Sequence, residues 1–131
     1  GLQPVPAVND LIGLQYEWGA RFSDGNGKTD CFQLACEIRN RIGLSDLSEK
    51  FAWAYESYSP TTLKPARLAR WLLQVGTRIT LEKHGAMALL ADPTSPALGS
   101  VVDGTIVFIA PGKRVVRVPV SRVRAYYFWI D

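Results

Sequence analysis

The sequence predicts an α+β domain in which helices come first and a largely antiparallel β-sheet of about five to six strands follows. Between residues 30 and 76 the apolar residues recur at helical spacing. After Gly76 the chain changes to short runs rich in β-branched and aromatic residues, separated by Gly, Pro and Asp. Helices and strands that occupy separate parts of a chain are typical of the α+β class.

The length and composition favour one domain. The 131 residues, 47% of them hydrophobic and 21% charged, are enough for one core and too few for two. We therefore assign residues 1–131 to a single domain, with residues 1–10 as an extended N-terminal arm. No run approaches the roughly 20 apolar residues that a membrane span needs. The first residues, GLQPVPAVNDLIGLQ, lack the basic start and apolar block of a signal peptide.

The first helix is predicted to begin after Asp30 and to run to about Arg41. Asp30 and Gln33 form the D-x-x-Q pattern of a capping box, and the loop SDGNGK precedes them. Gly43 is the expected C-terminal stop. The predicted apolar stripe of this helix consists of Cys31, Leu34, Ala35, Ile38 and Ile42.

Two further helices are predicted before Gly76. The stretch SDLSEKFAWAYESY places an apolar face on Leu47, Phe51, Ala54, Tyr55 and Tyr58. The stretch TTLKPARLARWLLQVG has Pro65 in its first turn and Gly76 at its end. The predicted buried face of this third helix consists of Leu68, Trp71, Leu72 and Val75.

Six runs after Gly76 are predicted as strands. They are RITLE, AMALLA, GSVVD, TIVFIA, RVVRVPV and RAYYFWI. The last run alternates large rings, which fits either a core-facing strand or an exposed aromatic edge that recruits a partner.

The charge is mildly basic and unevenly distributed. The net charge is +3, and the segment from Lys113 to Arg124, KRVVRVPVSRVR, holds five basic residues and no acidic one. One interpretation is a strand whose arginines face solvent. The other is an edge that binds a polyanion, such as a cell-wall polymer, a nucleic acid or an acidic partner.

The cysteines and the single histidine indicate neither a disulfide nor a metal site. Cys31 and Cys36 lie five positions apart on one predicted helix, so their side chains point about 140° apart and an intrachain disulfide is not expected. One histidine and scattered carboxylates give no metal-ligand spacing. We expect no cofactor.

Residues 16–34, YEWGARFSDGNGKTDCFQL, resemble the NlpC-type cell-wall peptidases, which are small papain-like cysteine hydrolases. The family signature is a Tyr-x-Trp-Gly stretch, a variable loop and an Asp-Cys pair that opens the first core helix. In this chain the matching residues are Tyr16, Trp18, Gly19, Asp30 and Cys31. The usual Ser-Gly after the cysteine is replaced by Phe32-Gln33.

The resemblance implies a papain-like NlpC-type fold from Leu11 onward, with Cys31 as the position of the nucleophile. It also implies that Tyr16 and Trp18 line a substrate groove and that Asp30 contributes to substrate binding. For the two rings, packing inside the domain is an equally open interpretation. For Cys31 the alternatives are a buried structural thiol, an active nucleophile or a redox role.

A catalytic thiol at Cys31 requires more than its place at a helix N-terminus. The helix dipole and unpaired N–H groups favour the thiolate, but a base must take the proton and a polar group must orient that base. His84 is the one imidazole in the chain. A first alignment to the family makes His84 the base and places the orienting residue near Ser95-Pro96.

A second alignment matches GAMALLADPTSPALGSVVDGTIVFIAPGKRVV to the whole family segment of consecutive strands. We prefer it because it explains every strand and turn. It puts Ala97 at the position of the catalytic histidine, Ile109 at that of the orienting residue and Ala86 at that of a structural aspartate. On this alignment the fold is kept and the catalytic groups are lost.

Two functions follow from these alignments. The preferred one is a catalytically inactive NlpC-type domain that is a structural or assembly component, which the resemblance places in a phage tail or baseplate. The location would then be the virion, or the host cytoplasm during assembly. Partners would be other structural proteins or peptidoglycan, and nucleic acid is not expected.

The alternative is an active amidase or endopeptidase that cuts peptidoglycan stem peptides, with Cys31 as nucleophile and His84 as base.

Overall fold

The structure, a computed structural model, describes residues 7–91 and 97–131. These residues form three α-helices and a six-stranded antiparallel sheet, which confirms the α+β class. No helix in this part of the chain is long and apolar enough to cross a membrane.

Helix α1 (Cys31–Ile42) forms where the capping signals predict it. The Asp30 carboxylate accepts the backbone N–H of Gln33, and Gly43 ends the helix in the left-handed conformation. The return half of the capping box is absent, because the Gln33 side chain donates to the Tyr55 hydroxyl instead. The Asp30 backbone N–H donates to the carbonyl of Ala20.

The second helix is shorter than the sequence indicates. A 3-10 turn at Glu49–Phe51 leads into helix α2 (Ala52–Ser57). Helix α3 (Pro65–Val75) has Pro65 at its first position and buries Leu68, Trp71 and Leu72 as predicted. Val75, also predicted on this face, is only partly buried.

All six predicted strands are present in the main sheet. The strands are β3 (Thr77–Ile79), β4 (Met87–Leu90), β5 (Leu98–Val102), β6 (Thr105–Phe108), β7 (Val116–Pro119) and β8 (Ala125–Trp129). Strands β4 to β7 follow one another as neighbours in a meander, and β8 inserts between β3 and β4, giving the order β3-β8-β4-β5-β6-β7.

Two short strands were not expected from the sequence. Strand β1 (Gln15–Tyr16) pairs in parallel with β2 (Lys28–Thr29). The pairing fixes Tyr16 opposite Thr29, directly before the Asp30 cap. Two residues are too few to leave a period-2 pattern in the sequence.

The N-terminal segment differs from the extended arm that was predicted. In its described part, residues 7–10, the chain enters a 3-10 turn at Asn9–Leu11, and Val8 is completely buried. The turn is held by Arg41, whose guanidinium binds the Asp10 carboxylate through two hydrogen bonds of 2.6 and 2.8 Å. The other residues of the arm, 1–6, lie outside the described part.

The sheet separates two apolar layers. The larger layer lies between the helices and one face of the sheet, and it contains Cys31, Leu98 and Ile109. The smaller layer covers the opposite face and centres on Ala86, Ala88, Val101 and Ile106. Alternate residues of each strand point to opposite faces, so the two layers draw on alternate positions of the same strands.

Candidate functional site

Cys31 is the first residue of α1, and this helix packs on β5. The Cys31 side chain is only 3% exposed. The backbone N–H of Leu98, the first residue of β5, is near enough to the sulfur to lower the pKa of the thiol in part. The thiol therefore lies beside the start of β5.

The Asp30 carboxylate connects three parts of the chain. It accepts hydrogen bonds from the backbone N–H of Gln33 (2.8 Å), the backbone N–H of Gly19 (2.6 Å) and the hydroxyl of Tyr55 (2.7 Å). Gly19 has φ of +84°, a conformation that favours glycine and that aims its N–H at the carboxylate. The bond from Gly19 connects the Tyr-x-Trp-Gly stretch to the Asp-Cys pair in the folded chain.

Asp30 is fully buried, and burial raises the pKa of its carboxyl although its hydrogen bonds act in the opposite direction. A side chain with no accessible surface and three internal donors cannot contact a substrate. The prediction that Asp30 binds substrate is therefore wrong for this structure, and the residue has an architectural role.

Trp18 and Tyr16 take different positions. The Trp18 ring packs edge-on against Phe32 and Tyr55, with ring centroids 6.0 and 5.1 Å apart, so it is part of an aromatic cluster above α1. Tyr16 is partly exposed, and burial together with the nearby Cys31 and Asp30 raises the pKa of its phenol. Tyr16 thus lies near the thiol and is in part accessible to solvent.

A groove of about 690 Å³ opens beside Tyr16. One wall is β1, and the other is the end of β6 with the turn and strand that follow it. The groove is lined by Gln15, Tyr16, Phe108, Ala110, Gly112, Lys113, Arg114 and Val116.

The Cys31 thiol is not activated in this structure. Burial raises the pKa of Cys31 far above its usual range, and the neighbouring Asp30 carboxylate raises it further. The N–H groups of Leu98, Phe32 and Cys31 itself act in the opposite direction but do not outweigh burial. At neutral pH the sulfur carries its proton and is a poor nucleophile.

His84 lies away from Cys31. The imidazole is exposed, and its Nδ1 accepts the backbone N–H of Asp103 at 3.1 Å. Asp103 follows the last residue of β5, whereas the Cys31 sulfur meets the first. Five residues of strand separate the two points, about 16 Å at the rise of a β-strand. The expectation that His84 is the base for Cys31 is therefore wrong, and the orienting residue of that alignment, near Ser95-Pro96, lies outside the described residues.

The positions named by the second alignment are apolar and buried. Ala97 directly precedes Leu98 and is 3% exposed. Ile109 is fully buried in the same apolar layer as Cys31, and Ala86 lies in the layer on the opposite face of the sheet. Because His84 is the one histidine of the chain, no imidazole of this chain stands beside the thiol.

Sequence reasoning missed Tyr55 and Leu98. Tyr55 was assigned to an apolar helix face, and nothing in its sequence context indicates that its hydroxyl binds Asp30. Leu98 acts on the thiol through its backbone N–H, a group that every residue type except proline has. The residue type at this position therefore gives no signal in the sequence.

Among residues 7–91 and 97–131, no group of three His, Cys, Asp or Glu side chains could hold a metal ion. Comparison of the chain with protein-family models, with curated proteins and with solved structures finds no match. The NlpC-type resemblance therefore depends on the residues of this sequence alone.

Proposed function

We propose that this chain is a catalytically inactive NlpC-type domain with a papain-like fold, and that it is a structural component of a larger assembly. The observation that carries the proposal is the surroundings of Cys31, where a buried thiol has no imidazole beside it. The resemblance of the motif residues suggests a phage tail or baseplate as the assembly.

The chemistry supports inactivity. Acyl transfer by a thiol requires removal of its proton and later protonation of the leaving amine. General acid–base assistance contributes about 10²–10⁴-fold in rate. Ala97 and Ile109 cannot supply it, and His84 is bound to Asp103 at the other end of β5.

The arrangement of the motif residues supports the NlpC-type assignment. Tyr16, Gly19 and Asp30 lie near the start of α1, and α1 packs on the second of the strands that the second alignment matches to the family. The order of helices before an antiparallel sheet is also the order that the resemblance implies.

The surface is consistent with a component that binds other proteins. Tyr126 on the terminal strand is 48% exposed, and Arg78 stacks on its ring at 4.8 Å. Surface aromatic and arginine side chains are enriched where proteins associate.

A turnover assay tests the proposal. Purified muropeptides are incubated with the wild type, with Cys31→Ala and with Cys36→Ala as the matched control, and release of stem peptides is followed by mass spectrometry. We expect no turnover by any of the three. Turnover by the wild type and Cys36→Ala that Cys31→Ala abolishes would show an active hydrolase, for example one whose base comes from a neighbouring subunit.

A further inference from the structure

We infer that the groove beside Tyr16 binds an acidic, extended segment of a partner protein. This inference rests on the proposed function, because it names the kind of partner that an assembly component would hold.

The groove is large enough for a short peptide and has a mixed lining. Its volume of about 690 Å³ lies within the range of sites that bind small ligands or a few residues. Phe108, Ala110 and Val116 give it apolar surface, and Tyr16 also lines it. Such a lining suits a peptide that presents alternate apolar and charged side chains.

The walls are joined by backbone hydrogen bonds, so the groove exists before any ligand binds. Gln15 forms an antiparallel bridge with Arg114, and the Tyr16 N–H donates to the Lys113 carbonyl at 3.2 Å. The Lys113 N–H in turn donates to the Ala110 carbonyl at 3.0 Å. Pro111 and Gly112, with φ of +77° at the glycine, occupy the central positions that a type II turn requires.

The charge of the groove selects a negative ligand. Lys113 and Arg114 are exposed, and no carboxylate is among the lining residues. Arg114 donates to the carbonyl of Gly13, and neither cation forms a salt bridge within residues 7–91 and 97–131. Both charges are therefore available to carboxylates of a bound segment.

An acidic peptide fits these observations better than a nucleic acid or a second copy of the chain. Binding of nucleic acid depends on neutralising many phosphates in a row, and this groove offers two cations beside apolar side chains. A second copy carries the same net charge of +3, so the two molecules repel each other.

The test uses a labelled, end-blocked hexapeptide of alternating Glu and Leu and the full chain. We expect the wild type to bind it, and the double variant Lys113→Gln/Arg114→Gln to bind about tenfold or more weakly, because two charge-assisted contacts are lost. The matched control is Lys50→Gln/Arg70→Gln, which removes the same charge from exposed positions outside the groove and should bind within about twofold of the wild type.

A charge-reversal variant distinguishes a loss of peptide binding from a loss of the fold. Lys113→Glu/Arg114→Glu should lose the Glu-Leu peptide and gain a peptide of alternating Lys and Leu. Absence of binding by the wild type, equal losses in the groove and control variants, or tighter binding of a single-stranded oligonucleotide through the same two residues would each overturn the inference. These outcomes leave catalytic inactivity untouched, whereas muropeptide turnover would contradict the proposed function without bearing on the groove.

Discussion

Cys31 occupies the first position of a well-capped helix, a place that by itself lowers the pKa of a thiol. Here burial and the Asp30 carboxylate raise that pKa instead. Cys36, five residues later, is partly exposed, and burial raises its pKa to about 11. Both thiols are therefore protonated at neutral pH. Burial is the main cause for each, and it raises the pKa of Cys31 further than that of Cys36.

Alkylation of the native protein should show this difference. With iodoacetamide, we expect Cys36 to react with a midpoint near pH 11 and Cys31 to remain unmodified as long as the fold is intact. Peptide mass spectrometry after a pH series measures both. In guanidinium chloride both should react with a midpoint of about 8.5, the ordinary value for cysteine. Rapid labelling of native Cys31 near neutral pH would show an activated thiolate.

At the scale of an element, Asp30 does more for α1 than cap its N-terminus. The same carboxylate also holds the loop at Gly19 and the hydroxyl of Tyr55 on α2. The cap could be predicted from the D-x-x-Q spacing, because helix capping is local. The two long-range bonds could not, because they depend on which segments fold back onto the helix.

Removal of this carboxylate should cost more than removal of an ordinary cap. We expect Asp30→Ala to lower the free energy of unfolding by about 2–4 kcal/mol, since a cap and a buried charge-assisted hydrogen bond are lost together. Tyr55→Phe should cost about 1–2 kcal/mol. Glu56→Ala, at an exposed neighbour of Tyr55, is the control and should change stability by less than about 0.5 kcal/mol. Urea unfolding measures all three, and equal values for Asp30→Ala and Glu56→Ala would contradict this role.

Two glycines are needed for different reasons, Gly76 at the junction between α3 and β3 and Gly104 in the turn between β5 and β6. At Gly76 a Cβ would lie 2.8 Å from the Trp129 carbonyl oxygen, so the junction tolerates no side chain. At Gly104 nothing lies within 4 Å, but φ is +72°. With Asp103 at φ of +47°, Gly104 forms the two-residue Asp-Gly turn typical of β-hairpins.

The same substitution at the two glycines should therefore have different effects. Asparagine adopts positive φ readily, so Gly104→Asn should cost less than about 1 kcal/mol. Gly76→Asn should cost about 1–3 kcal/mol or more, because helix and strand must separate to admit the side chain. Thermal unfolding compares them, and a Gly76→Asn variant as stable as Gly104→Asn would refute the close approach.

At the scale of the whole molecule, Arg39 joins the helical layer to the C-terminal strand. Its side chain is 1% exposed, and it donates to the Ser45 carbonyl, the Ser45 hydroxyl and the Ile130 carbonyl at 2.9–3.1 Å. No carboxylate is among these partners, and burial lowers the pKa of the guanidinium. Neutral acceptors from two parts of the chain bind Nε and Nη2, while the buried Nη1 has no hydrogen-bond partner among the described residues.

Arg39→Met should destabilise the fold by about 1–3 kcal/mol, because it keeps the volume but leaves the buried Ile130 carbonyl without its donor. Arg70→Met, on the exposed side of α3, is the matched control and should stay within about 0.5 kcal/mol of the wild type. Guanidinium unfolding followed by circular dichroism measures the difference. A stable Arg39→Met variant would show that the Ile130 carbonyl finds another partner.

The sequence by itself determined the α+β class, the cap of α1, the ends of α3 and the six strands of the main sheet, because capping, periodicity and turn chemistry act over a few residues. It also shows that the chain has one histidine. The tertiary structure decided what surrounds Cys31, since the Leu98 amide, the Tyr55 hydroxyl and the distant His84 reach their places only when helices and strands pack together. Whether a thiol is buried or activated depends on such long-range packing, and patterns of residues close in sequence do not predict it.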